Sequence, residues 1–223
     1  RSNQGNSNIA IGSYTLDAIT TGYTNIAVGH NAGTAITTGV ANVAIGENAL
    51  DACDGENYNV AVGYRSLSTE NSGAYGCVAV GAHALDDQNV ADANNVAVGY
   101  NAAMNLTSGT DSVYIGFNAG GAGVITGDEN VVIGRGAALN ATSMASSVFV
   151  GRLAGGLGVV TGANNTVVGT AAGYDLTSGH SNVLLGGDAG LNLTEGFSNV
   201  AIGYAALDAA QSGVTACIAI GQN

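Results

Sequence analysis

Short tripeptides of β-branched residues closed by a glycine recur along the whole chain, as in Ile9-Ala10-Ile11-Gly12, Val43-Ala44-Ile45-Gly46 and Val200-Ala201-Ile202-Gly203. The closing glycines are Gly12, Gly29, Gly46, Gly63, Gly81, Gly99, Gly116, Gly134, Gly151, Gly169, Gly186, Gly203 and Gly221, and every step between them is 17 or 18 residues. With each glycine as position zero, positions −3 and −1 are almost all Val or Ile. Thr166 and Leu185 are the departures. Alternation at period two predicts a short strand with one buried face, so Val and Ile are expected to fill the interior. A second apolar column near +7 or +8, at Ile19, Ile36, Leu106, Val124, Val159, Leu176 and Leu193, predicts the opposite wall of a flattened coil. Between the walls, position +3 is Ala in ten of twelve complete repeats, a small residue where the walls close on each other. The period is too short for a helix pair and long enough for one turn of a narrow β-coil. The fold class is therefore all-β: a parallel β-solenoid of about 13 coils, running through residues 1–223 as one continuous repeat region.

The polar columns serve the scaffold. Position −4 is Asn in nine of thirteen repeats, with Ser112, Ser147, Cys77 and Cys217 as exceptions; stacked Asn side chains can pin register along the axis. The turn after the second wall reads Thr-Thr-Gly or Thr-Ser-Gly at 20–22, 37–39, 107–109 and 177–179. Glycine there is expected to supply a positive φ, and the 18-residue steps place their extra residue in a turn.

Position −2 breaks the regularity. It is Ala from Ala10 to Ala97, then Tyr114, Val132, Phe149, Val167 and Leu184, then Ala201 and Ala219. With −3 and −1 inside, these five large groups would point outward as a stripe, which predicts a subunit interface. The competing reading is a face covered by loops of the same chain.

Composition narrows the function. The chain carries 16 acidic and 4 basic residues, a net charge of −12, and so has no basic patch to neutralise phosphates. No apolar run reaches the length of a membrane span, so neither nucleic acid nor membrane insertion is expected. Cys53, Cys77 and Cys217 show no metal-ligand spacing. His30, His83 and His180 fall in different columns, which gives no metal or nucleophilic constellation. Asp51, Asp54, Glu56, Asp86 and Asp87 read as solvated turn charges. Gly120–Gly123 and Gly155–Gly158 read as turn expansions, because no Lys-Ser/Thr follows. Tyr64, Tyr100, Phe117 and Tyr204 share position +1 and are candidate glycan contacts, against the alternative that they pack over the turn. No catalytic residue, cofactor or metal is expected.

The unit Asn-Val-Ala-Ile-Gly-x-x-Ala, at 42–49 and 199–206, resembles the head repeats of YadA-like trimeric autotransporter adhesins. It is equally similar to the Asn-x-Ala-Ile-Gly-Tyr-x-Ala-Leu arrays of phage tail fibres, as at 95–103 and 199–207. The steps here are longer than those of adhesin heads. The resemblance implies a left-handed, homotrimeric β-roll, extracellular, on a cell surface or a virion, that mediates attachment to a host-surface glycan or protein. Since the chain opens and stops in phase with its repeat, a piece of a longer fibrous protein is expected. The leading function is thus a non-enzymatic structural and adhesive fibre segment. Two alternatives remain: an ice-binding solenoid, suggested by Thr20, Thr37, Thr107, Thr142, Thr177 and Thr194, and a carbohydrate-degrading tailspike, which would require a carboxylate pair in a groove.

Overall fold

The computed structural model describes residues 7–52, 54–69, 74–88, 93–209 and 213–222; Cys53 lies outside them. The described residues form an all-β parallel solenoid in which each glycine-closed tripeptide is one strand. Coils of a solenoid touch only their neighbours, and by compactness the chain divides into Arg1–Asp111 and Ser112–Asn223. The first unit holds β1 (Ile9–Ile11), β2 (Ile26–Val28), β3 (Val43–Ile45), β4 (Val60–Val62), β5 (Val78–Val80) and β6 (Val96–Val98), each paired in parallel with the next. The second holds β7 (Val113–Ile115), β8 (Val131–Ile133), β9 (Val148–Val150), β10 (Thr166–Val168), β11 (Val183–Leu185), β12 (Val200–Ile202) and β13 (Ile218–Ile220), paired in the same way. Register follows the glycine count, so Val43 faces Val60 and Val132 faces Phe149.

The closing glycine is required twice over. Its φ lies between 126° and 144° in every repeat, a region L side chains rarely adopt. A Cβ on Gly29 or Gly169 would also fall inside contact distance of the next coil's glycine carbonyl. The turn glycines act differently from expectation: Gly22, Gly39 and Gly179 have no positive φ, and each is glycine because a Cβ would collide with a carbonyl of the following coil. Left-handed backbone sits instead at −5, +2 and +4, on residues such as Ala41, Asn48 and Leu50.

The strand faces are the reverse of the expected ones. Position −2 is buried throughout the interior coils, from Ala27 to Ala201, while −3 and −1 face outward, with Ile26, Ile45, Val98, Ile115, Val168 and Ile202 between 36% and 39% exposed. Tyr114, Val132, Phe149, Val167 and Leu184 are fully buried and form no outer stripe, so they are core and not a subunit interface. The physical reason lies six residues downstream. Position +4 is Leu50, Leu67 and Leu85 where −2 is Ala44, Ala61 and Ala79, but Gly120, Ala138, Gly155, Gly173 and Gly190 where −2 is large. A Cβ on Gly120 would meet the Tyr114 ring at 2.7 Å, and one on Gly155 would meet the Phe149 ring at 2.6 Å. The two columns fill one interior space, and volume has moved from +4 to −2.

The opposite wall is made by Ile36, Leu106, Leu176 and Leu193, all buried. Val124 and Val159, read as wall residues, are about half exposed, and their neighbours Ile125 and Val160 are buried instead. Both lie in 18-residue steps, where the inward position falls at +9, against +7 for Ile36, Leu106, Leu176 and Leu193.

The Asn column is buried and bonds along the axis. The backbone N–H of Asn42 donates to Asn25 Oδ1 at 3.0 Å, that of Asn59 to Asn42 Oδ1 at 3.0 Å and that of Cys77 to Asn59 Oδ1 at 2.9 Å. Each Nδ2 donates into the turn that leads to the next coil, as from Asn25 to the Gly39 carbonyl at 2.7 Å. Asn165, Asn182, Asn199 and Cys217 repeat the scheme in the second unit. Cys77 is buried and accepts from the Gln88 amide at 3.2 Å, and Cys217 is a free thiol. In the Thr column, the Thr20, Thr37 and Thr177 hydroxyls donate to carbonyls one coil on, at 2.9, 3.0 and 3.0 Å, so their donors run along the axis.

Candidate functional site

Chemistry-bearing side chains gather on the edge that follows the closing glycine. The chain leaves each strand at −1, turns at the glycine, and presents +1 and +2 to solvent before +3 and +4 dive back into the core. Tyr64, Tyr100, Phe117 and Tyr204 are all 46% to 58% exposed there. The structure gives them three different surroundings.

In the first unit, His83 joins Tyr64 to Tyr100. Its ring lies edge-to-face with both, at centroid distances of 5.3 and 6.3 Å. His83 occupies +2 with φ near 57°, and the small Ala82 at +1 leaves room for the imidazole between the phenols. Asp86 fixes the arrangement. Its carboxylate is buried, lies 2.7 Å from His83 Nδ1 and 3.4 Å from an Arg65 guanidinium nitrogen, and accepts a short hydrogen bond from the Ser68 hydroxyl. Asp86 is thus no solvated turn charge. Burial of a carboxylate is offset here by two cationic or polar partners and a hydroxyl. Nearby Asp51 is half-buried, and desolvation raises its carboxyl above the ordinary range; the Asp86 charge adds to that, and Arg65 opposes it. Although Ser, His and Asp meet, Ser68 and His83 both bond the carboxylate and not each other. The hydroxyl bonds the carboxylate directly and no imidazole stands between them, so the cluster lacks the Ser–His–Asp order of a nucleophilic relay. It is an anchor that holds a cation and an imidazole beside two exposed phenols.

In the second unit, the Arg135 guanidinium lies over the Phe117 ring, its carbon 5.8 Å from the centroid. Arg152 follows at +1 on the next coil, and both arginines are exposed. Tyr204 packs over Gly187, where a Cβ would come within 3.3 Å of its ring. The Asp188 carboxylate, hydrogen-bonded to the Tyr204 hydroxyl, pushes that phenol above its ordinary range. Elsewhere His180 stacks on Phe197 at 5.0 Å and 7°, and Tyr14 meets His30 edge-on at 5.8 Å.

Sequence reasoning found the aromatic positions but missed His83, Asp86, Arg135 and Arg152. The available signal was positional, since Arg65, Arg135 and Arg152 all fall at +1 or +2 in a chain poor in charge. Among the described residues, no group of three His, Cys, Asp or Glu side chains converges as a metal site would require, and no helix is long and apolar enough to cross a membrane. No family model, curated protein or solved structure matches the chain.

Proposed function

We propose that this chain is a non-enzymatic structural and adhesive segment of a fibre, displayed on a cell surface or a virion, that assembles with copies of itself and presents its turn edge to a host surface. One observation carries the reading: the outward face of the sheet in each unit is two columns of Val and Ile, a flat apolar surface of the kind monomers rarely leave in water. The self-association surface is therefore placed at −3 and −1, the faces opposite to the buried Phe149 column. The Asn-x-Ala-Ile-Gly resemblance adds three-fold assembly and left-handed winding to the proposal. The anchor role of Asp86 fits a binding edge better than a catalytic one.

Sedimentation equilibrium tests the assembly. Three chains are expected for the unmodified protein, and Ile45→Glu combined with Val98→Glu should give folded monomers with unchanged circular dichroism. A monodisperse monomer from the unmodified protein refutes the assembly. Phe149→Glu serves as the contrast, because a charge buried inside the coil should unfold it and not merely separate chains.

A further inference from the structure

We propose that the Phe117–Arg135–Arg152 edge of the second unit binds an acidic saccharide, with the two guanidinium groups on carboxylate or sulfate and Phe117 on the apolar face of a sugar ring. The inference rests on the adhesive reading and names its ligand class.

Charge distribution makes the first argument. Against 16 acidic residues the chain has only 4 basic ones. Of the three arginines the structure describes, Arg65 is spent on Asp86. Arg135 and Arg152 have no carboxylate within ion-pair distance among the described residues. They are nevertheless set side by side. Ile133 pairs with Val150 across β8 and β9, and the Leu153 N–H donates to the Arg135 carbonyl at 3.0 Å, so the two arginines occupy the same +1 position one strand spacing apart, about 4.8 Å. Like charges carried by neighbouring strands repel. From Phe117 to Ala171 the +1 and +2 columns contain no acidic residue to offset them. A local cationic pair is thus maintained on an anionic molecule, and an external anion is what it fits.

Ligand geometry makes the second. Arginine presents a planar fork that matches carboxylate and sulfate oxygens bidentately, and it stacks on flat apolar faces. Phe117, 47% exposed, lies one coil before Arg135 and extends the edge with an aromatic surface. Alternation of flat apolar contact and anion contact at the step of one coil suits a chain of sugar rings bearing acidic groups. A nucleic acid is a poorer fit, because phosphate-driven binding draws on about 6–10 cationic contacts, and here there are two within a net charge of −12.

Isothermal titration of the purified protein with a hyaluronan octasaccharide and a heparin octasaccharide tests the proposal, with cellohexaose, inorganic sulfate and phosphatidylserine vesicles as comparison probes. Binding of at least one acidic octasaccharide is expected, weakened by added salt and absent for cellohexaose. Arg135→Gln with Arg152→Gln should reduce affinity by about tenfold or more, and Phe117→Ala severalfold, with unchanged circular dichroism because all three side chains are exposed. Equal binding of cellohexaose, binding only to vesicles or only to inorganic sulfate, binding insensitive to the double substitution, or no binding of either acidic octasaccharide would each overturn the proposal. The result is independent of sedimentation: a monomer that binds the octasaccharide refutes the assembly alone, and a trimer that does not refutes the ligand alone.

Discussion

Exchange of volume between −2 and +4 can be tested as a swap. Phe149→Ala removes a fully buried ring and should cost about 3–5 kcal/mol through lost transfer and the cavity left behind. Gly155→Leu alone forces a side chain into that ring, since even a Cβ would sit 2.6 Å from Phe149 Cε1. Overpacking costs about 1–3 kcal/mol. Left-handed backbone adds about 1–2 kcal/mol for a residue with a Cβ, because φ at Gly155 is +59°. Independent effects would sum to roughly 5–10 kcal/mol. The double variant, however, recreates the pair Ala44 and Leu50 of the third coil, where Leu50 has φ of 53° at the same position. Its expected loss is only the backbone term and some misfit, about 2–3 kcal/mol, so the coupling energy is at least about 2 kcal/mol, towards or beyond the upper end of what touching residues show. Urea midpoints of the four proteins give the cycle. Amide exchange at β8, β9 and β10 guards against the loss of all-or-none unfolding that repeat arrays show. Additive losses in the double variant would refute the shared space.

Two further perturbations probe the interior. Asn182→Ala leaves the Asn199 N–H and the Gly196 carbonyl without their partners, at about 1–3 kcal/mol each; Asn182→Ser keeps the acceptor, as Ser147 does for Asn165 at 3.1 Å, and should recover roughly half by urea midpoint. Equal losses in the two variants would show that the ladder acceptor contributes nothing. Tyr114 gives an alkaline signature, because burial raises its phenol above the ordinary value of 10.0. The folded state then holds a proton that the unfolded state releases, so stability should be constant below that pH and fall above it by up to about 1.4 kcal/mol per pH unit. Tyr114→Phe should reduce this slope in urea titrations repeated across alkaline pH, leaving the smaller part that the raised Tyr204 phenol contributes.

The repeat glycine made the architecture readable from sequence, because one residue meets two independent demands, its φ and its approach to the next coil. Which strand face is inside was not readable from the same tripeptides. Period two says that the faces differ, and with Ala on one and Val or Ile on the other, bulk argued for Val and Ile inside. The interior shares its volume between −2 and +4, so the signal that −2 faces inward was that a large −2 residue always comes with Gly or Ala at +4, as in Phe149 with Gly155 against Ala44 with Leu50. At the edge, exposure of Tyr64 and Tyr100 followed from their column. The cluster around Asp86 did not, because its members come from successive coils at +2, +5 and +5 or +2 again: Arg65, Ser68, Asp86 and His83 meet only when the coils stack.

The inversion of the faces also sets how strongly copies should associate. Complete burial of a Val or Ile is worth about 1.5–3 kcal/mol, so covering the exposed third of Ile26, Ile45 or Val98 yields roughly 0.5–1 kcal/mol each. Two outward residues per coil over the six strands of the first unit give about 6–12 kcal/mol, which is comparable with the cost of association itself. Affinity between copies should therefore rise steeply with the number of coils rather than depend on a single residue. Because each strand ends at −1 and the glycine turns the chain before +1, covering the Val and Ile columns leaves Phe117, Arg135 and Arg152 on a separate edge. In the proposal, assembly draws on columns that recur in every repeat while ligand binding draws on Phe117, Arg135 and Arg152 alone, so lengthening the array should strengthen the first and leave the second unchanged.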